Sequence, residues 1–116
     1  MSRVTFAVPS RKRRKRVLAR AKGFYGNSSR NIRTAYDAVD KALTHSYEGR
    51  KQKKRQYRAL WIVRINAACR ELNTSYSRFM DALKKANIEL NRKVLADLAV
   101  REPAEFKALV EKVTQL

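Results

Sequence analysis

Beyond Arg58 the apolar side chains fall into step with the α-helix. Trp61, Ile65, Ala68 and Leu72 stand at i, i+4, i+7 and i+11, with Ile62 and Cys69 flanking, which predicts one wall of a core. Ser75 is placed to cap a following helix with the stripe Tyr76, Phe79, Met80 and Leu83, and Asn87 is a residue type that tolerates a left-handed stop. Asn91 caps a further short helix in this reading, with Val94, Leu95 and Leu98 facing inward. Pro103 suits the first turn of a last helix, where Glu105 meets the positive end and Phe106, Leu109, Val110 and Val113 are buried. Residues 59–116 therefore predict a small globular helical domain, close to the lower size at which a core sustains itself.

Between Ser2 and Arg58 the bulky apolar residues are scattered, at Phe6, Val17, Leu18, Phe24, Tyr25, Ile32, Tyr36, Val39, Leu43, Tyr47 and Tyr57. They line a stripe but do not close a core. Ser10 is the expected cap of a first helix that ends near Gly23, with Lys22 favourably close to the C-terminal dipole. The connector Gly23-Phe24-Tyr25-Gly26-Asn27-Ser28 permits a sharp redirection, and Ser28 or Ser29 is the expected cap of the next helix. No proline intervenes before Leu72, so one helix of more than about forty residues is allowed, spanning roughly 60 Å. Its first half is expected to project, with Gly49 as the place for a bend or weak turn. The fold class expected is all-α: a long basic helical N-terminal extension over residues 1–58 followed by the small helical domain over 59–116.

Charge then changes the picture. The chain carries 28 Lys and Arg against 10 Asp and Glu, a net charge of +18. The excess is lopsided, since residues 1–58 hold 18 basic residues against only Asp37, Asp40 and Glu48. Arg11 to Arg16 is an unbroken run of six, and five of the six residues from Arg50 to Arg55 are basic. Such runs repel one another until a polyanion supplies counter-charge. A membrane surface is a poor match, because charge surrounds these helices and leaves no apolar face to insert. No run is long and apolar enough to span a bilayer, and the N-terminus lacks the apolar stretch of a secretory signal. A cytosolic setting is expected, and the single Cys69 fits it, since one cysteine builds no internal disulfide.

Catalytic chemistry is hard to assemble from this sequence. His45 and Cys69 are the only residues of their types, so neither a metal cluster nor a Cys–His pair is available within one chain. Cys69 reads as a small core residue. His45 lies near the basic run and reads either as a phosphate contact or as a solvated helix position. The carboxylates of the second half read as surface ion pairs. No nucleotide-binding glycine fingerprint is present, and no cofactor, metal or small-molecule substrate is expected. Gly23-x-x-Gly26 is similar to the backbone-clamping loop of KH domains, but that fold needs strands this sequence does not offer, which favours a plain helix connector. Tyr25, Tyr36, Tyr47 and Tyr57 recur about every eleven residues, three helical turns, and suit either RNA sugars and bases or a neighbouring helix.

At the boundary the residues become specific. The stretch from Lys54 to Arg70, KRQYRALWIVRINAACR, resembles the defining segment of bacterial-type large-subunit ribosomal protein twenty. Ala21-Lys22-Gly23-Phe24-Tyr25-Gly26 resembles that family's connector, Ser75-Tyr76-Ser77-Arg78-Phe79 its next helix start, and Arg92-Lys93-Val94-Leu95-Ala96-Asp97 its fourth helix. Together these cover nearly the whole chain in order. The resemblance implies a primary-assembly protein that binds large-subunit ribosomal RNA, in its second domain, as the particle forms. It implies a basic extension threaded between RNA helices, a globular domain near the particle surface, and no catalytic residues. Ribosomal proteins thirteen and twenty-one are implied as neighbours, and in some members repression of their own messenger RNA. The implied location is the cytoplasmic ribosome, with an organellar ribosome left open. Two places depart from the family pattern. Thr5-Phe6-Ala7 stands where further basic residues and a glycine are usual, which implies fewer phosphate contacts at the tip. Glu48-Gly49 replaces an Arg-Asp pair, which bears on helix continuity there.

The candidate RNA-binding residues are Arg3, Arg11, Lys12, Arg13, Arg14, Lys15, Arg16, Arg20, Lys22, Gly23, Tyr25, Gly26, Ser29, Arg30, Arg33, Arg50, Lys51, Lys53, Lys54, Arg55, Arg58 and Arg64. Cations on a projecting helix neutralise phosphates from several directions and hold separate RNA segments at a fixed angle. An architectural DNA-binding protein is the alternative, although DNA compactors commonly add a dimer and an apolar wedge that are not evident here. A small basic enzyme acting on RNA ranks behind both.

Overall fold

A computed structural model describes residues 3–115. The described residues are all-α: α1 (Ala7–Arg20), a 3-10 turn (Gly26–Ser29), α2 (Ile32–Glu71), α3 (Tyr76–Lys85), α4 (Arg92–Arg101) and α5 (Pro103–Thr114). They divide into two compact units, Met1–Lys51 and Gln52–Leu116, and α2 contributes residues to both.

In the first unit, α1 starts three residues before the expected cap. Ser10 lies inside the helix, its N–H donating to the Phe6 carbonyl at 3.0 Å. Pro9 does not prevent this, because its missing N–H falls among the first-turn donors that have no intrahelical partner anyway. The helix closes at Ala21, and Gly23 then takes φ +88° and Gly26 φ +65°. A Cβ built at either glycine meets nothing within 4 Å, so backbone conformation alone, not crowding, calls for glycine there. The expected redirection is present, but neither Ser28 nor Ser29 caps α2. Asn31 does, its side-chain oxygen accepting from the Arg33 N–H at 3.1 Å. Ser29 is instead consumed by the 3-10 turn, where its hydroxyl donates to the Gly26 carbonyl. Thr34 Oγ1 ties the turn down by donating to the Asn27 and Asn31 carbonyls at 2.9 and 3.0 Å. The packed residues are few: Ala21, Ala35 and Val39 are buried, with Val17, Leu18 and Phe24 against them, and α1 itself contains no buried residue.

α2 is 40 residues long and passes through Gly49 without interruption, so the weak turn expected there is absent. One glycine costs a helix about 1 kcal/mol against alanine, too little to outweigh the hydrogen-bonded turns on either side.

The second unit carries the main core. Ile65 and Cys69 of α2, Phe79 and Leu83 of α3, Leu95 and Ala96 of α4, and Phe106, Val110 and Val113 of α5 form one buried cluster. Phe79 and Phe106 meet edge to face at 5.4 Å between ring centroids, which favours the quadrupole geometry of an aromatic pair. Caps set the helix boundaries. Ser75 Oγ accepts from the Arg78 N–H, Asn91 Oδ1 accepts from the Val94 N–H at 2.9 Å, and Pro103 opens α5 with Glu105 in its first turn, all as expected. Asn87 takes φ +52°, and the Ile88 N–H returns to the Leu83 carbonyl at 3.0 Å, the hydrogen bond of a Schellman stop. Asn73 closes α2 in the same manner with φ 58°, the Thr74 N–H reaching the Cys69 carbonyl.

Two core expectations are corrected. Val94 is 46% exposed, because α4 turns Leu95, Ala96 and Ala99 inward and leaves Val94 off that face. The methyl side chain of Ala96 allows close approach, a signal too small to stand out in an apolar pattern. Trp61 packs against the core but is only half-buried, whereas Phe79 and Phe106 are the large enclosed side chains.

Candidate nucleic-acid interface

The first unit presents cations with almost no compensation. Arg11 through Arg16 are exposed on α1, and successive residues turn by about 100°, so the run encircles the helix. No acidic residue lies in the first turn of α1, and Arg20 lies in its last turn. Arg3 precedes the helix, Lys22, Gly23, Tyr25 and Gly26 stand exposed in the connector, and Arg30, Arg33, Arg50 and Lys51 are exposed beyond it. Ser29 is half-buried, with its hydroxyl engaged as described. Tyr25 is 98% exposed. Tyr36, Leu43 and Tyr47 stand at i, i+7 and i+11 on α2 and are all exposed, so this stripe is not packed by the unit's own core. Lys51 Nζ sits 5.4 Å from the centre of the Tyr47 ring, and Arg50 donates to the Ser46 hydroxyl at 2.6 Å. His45 Nδ1 lies 3.9 Å from a Glu48 carboxylate oxygen, on an exposed helix surface.

In the second unit, Lys53, Lys54, Arg55, Arg58 and Arg64 are exposed along α2. Lys53 lies 5.9 Å from the Tyr57 ring centre, and that ring is 6.2 Å from Trp61. The Lys and Arg ion pairs of the described residues sit elsewhere, within single helices: Lys85 with Asp81 at 2.8 Å, Arg101 with Asp97 at 2.9 Å and Lys107 with Glu111 at 3.9 Å. The surface pairing expected of the rear carboxylates is present for Asp81, Asp97 and Glu111 but not for Glu71, Glu89, Glu102 or Glu105, while none of the candidate cations from Arg3 to Arg64 is neutralised by a carboxylate among the described residues.

The hydrogen bond and charge of Asp81 raise the Lys85 pKa. The hydrogen bond and charge of Glu102 raise that of Glu105 at the start of α5. Burial pushes the Cys69 thiol up to about 11, which keeps it protonated as a core residue. Among the described residues no group of three or more His, Cys, Asp or Glu is placed to hold a metal ion.

Sequence spacing did not reveal Arg92. Its Nε donates to Tyr76 Oη at 2.6 Å and its guanidinium lies 6.0 Å from the Tyr76 ring centre. Tyr76 in turn donates its backbone N–H to Asn66 Oδ1 at 3.4 Å. Arg92 is therefore oriented by a neighbour sixteen residues away, and no local pattern announces such a pair.

Fold and surface together define an all-α, polycationic binding protein whose rear helices pair part of their charge with carboxylates and whose front pairs none of its Lys and Arg among the described residues. The family model for Ribosomal protein L20 matches residues 3–109. The Large ribosomal subunit protein bL20 of Acidithiobacillus ferrooxidans is 58% identical over 113 residues, covering 97% of this chain and 95% of that protein. Its namesakes from Opitutus terrae and Elusimicrobium minutum are 57% and 52% identical, each over 97% of this chain and over 88% and 96% of their own lengths. The chain belongs to the ribosomal protein L20 family, a family of ribosomal structural proteins and not of enzymes.

Proposed function

We propose that this protein is a structural constituent of the large ribosomal subunit that binds large-subunit ribosomal RNA directly and scaffolds early assembly of the particle. The observation that carries the reading is the series of exposed, carboxylate-free cations from Arg3 to Arg64, set against rear helices where Lys85, Arg101 and Lys107 are paired. Cations already paired gain little from a phosphate, whereas free ones release condensed counterions from RNA on contact. Residues 1–58 form the RNA-binding extension in this proposal, a functional boundary drawn where the basic surface gives way to residues of the core. The encircled helix α1 neutralises phosphates on more than one side, which ties separate RNA segments together. The family resemblance supports the finer parts of the reading: contacts with ribosomal proteins thirteen and twenty-one, repression of the protein's own messenger RNA, and a place in the cytoplasmic ribosome.

Competition at matched salt tests it. Folded large-subunit ribosomal RNA is expected to displace a labelled fragment of the same RNA from the protein far more effectively than an equal phosphate concentration of duplex DNA. Equal competition by duplex DNA would overturn the ribosomal RNA assignment in favour of an architectural DNA-binding role.

A further inference from the structure

We infer that the second unit carries a cleft for the base of an unpaired RNA nucleotide. The cleft lies between α2 and α4 and has a volume of about 460 Å³, within the usual range for small-ligand sites. Its apolar surface comes from Trp61, half-buried against the core, and from Val94, which is 46% exposed while Leu95 and Ala96 beside it are enclosed. Three cations line it, Arg64, Lys93 and Arg101, against the single carboxylate of Asp97. Arg101 Nε already engages that carboxylate at 2.9 Å, so Arg64 and Lys93 set the sign of the charge offered to a ligand. Asn91 completes the lining. Its oxygen is committed to capping α4 by accepting from the Val94 N–H, so its amide NH₂ is the polar group it offers outward.

An indole surface, an adjoining apolar wall, two cations and an amide donor together match a nucleotide. Every base has a π-face that stacks on an aromatic ring, the amide donates to acceptors on a base edge, and the cations meet the attached phosphate. An acidic peptide would satisfy Arg64 and Lys93 but would leave the indole unused. Bases within an A-form duplex are already stacked and paired, so the occupant comes from a loop, bulge or single-stranded end. This inference rests on the RNA-binding reading and adds discrimination to it. The cations of the extension respond to phosphate wherever it occurs, and the cleft responds to bases that are free.

Trp61 is the only tryptophan of the chain, so its fluorescence reports on the cleft directly. The full-length protein is titrated with a fluorescently labelled oligoadenylate of roughly ten nucleotides, within the span of known single-strand sites, and separately with a fully paired RNA duplex of equal length. Anisotropy of the labelled RNA measures total binding and Trp61 emission measures occupancy of the cleft. Both RNAs are expected to bind, and only the oligoadenylate to quench Trp61. Arg64→Gln with Lys93→Gln is expected to weaken the quenching titration several-fold while helix content is unchanged. Trp61→Leu is expected to weaken oligoadenylate binding roughly ten-fold and duplex binding little. If Trp61→Leu fails to fold, the double Gln variant carries the comparison. Oligoadenylate binding without quenching, or equal quenching by the duplex or by polyglutamate, would overturn the cleft assignment while leaving RNA binding intact. Failure of every RNA to bind would overturn both readings.

Discussion

Replacing Arg11, Lys12, Arg13 and Arg14 together by Gln separates two ways of using the same charge. These four residues are exposed and follow one another around α1 at about 100° each, so they point to all sides of the helix. If RNA surrounds α1, all four meet phosphates, and the slope of log affinity against log salt falls by roughly three units, at 0.7 to 0.9 per contact. If RNA lies along one side only, about two of the four contribute and the slope falls by roughly one and a half. Lys107→Gln with Lys112→Gln is the control. It removes charge from α5, where Lys107 already faces Glu111 at 3.9 Å, and it is expected to leave the slope nearly unchanged. Titrations of one ribosomal RNA fragment at several concentrations of one monovalent salt provide the slopes. Equal changes for the front and rear variants would refute the reasoning, because the uncompensated cations would then have no special part in binding.

Phe79→Ala is expected to destabilise the protein by roughly 3 to 5 kcal/mol, since an enclosed aromatic leaves a cavity, while Trp61→Ala, being half-buried, costs nearer 2 kcal/mol; thermal or urea unfolding gives the order. Gly26→Val is expected to weaken RNA binding and Gly26→Asn to be better tolerated, because φ +65° is strained for a β-branched residue and open space surrounds the site; affinity measured beside helix content distinguishes them. Cys69 is expected to react with a thiol reagent at pH 8 only as fast as the second unit opens. Its folded pKa of about 11 lies above the ordinary thiol value of 9.0, so the protonated thiol favours the folded state, and that contribution fades as pH rises from 9 through 11. Reaction rates with and without urea check the first point, and stability measured across that pH window checks the second.

Much of the second unit was legible because its boundaries are set by local chemistry. Ser75, Asn87, Asn91 and Pro103 each act within a few residues of themselves, through a cap, a left-handed φ or a missing donor, and a sequence displays such relations directly. The first unit was harder for the converse reason. Ser10, Ser28 and Ser29 are competent caps by type, yet Pro9 tolerates a first turn that begins upstream, and the 3-10 turn uses Ser29 before α2 starts at Asn31. At the candidate interface the cations were legible because exposure is the default for Lys and Arg. Three carboxylates against 18 basic residues already left most of them without a partner, and only whether Asp37, Asp40 and Glu48 pair at all depended on which faces the helices turn outward. The Tyr76–Arg92 bond and the cleft at Trp61 were hidden for a further reason: both join residues that only tertiary packing brings together.

The first unit and the helices α3, α4 and α5 carry positive charge in different ways. On α3, α4 and α5, carboxylates one helical turn from their partners neutralise lysines and an arginine, and a cluster of enclosed aromatics and aliphatics supplies the core. Among the described residues the first unit buries three, two of them alanines, and its polycationic helix α1 buries none. Apolar burial there stabilises little, and repulsion along Arg11 to Arg16 works against it. A polyanion removes that repulsion and adds counterion release, so it stabilises the first unit by an amount that grows with its free concentration. Carboxylates placed opposite these cations would make the isolated unit more stable. They would also compete with phosphate for every contact. Among the described residues no Lys or Arg of the first unit is paired with a carboxylate, and the three such pairs lie on α3, α4 and α5, beside the core.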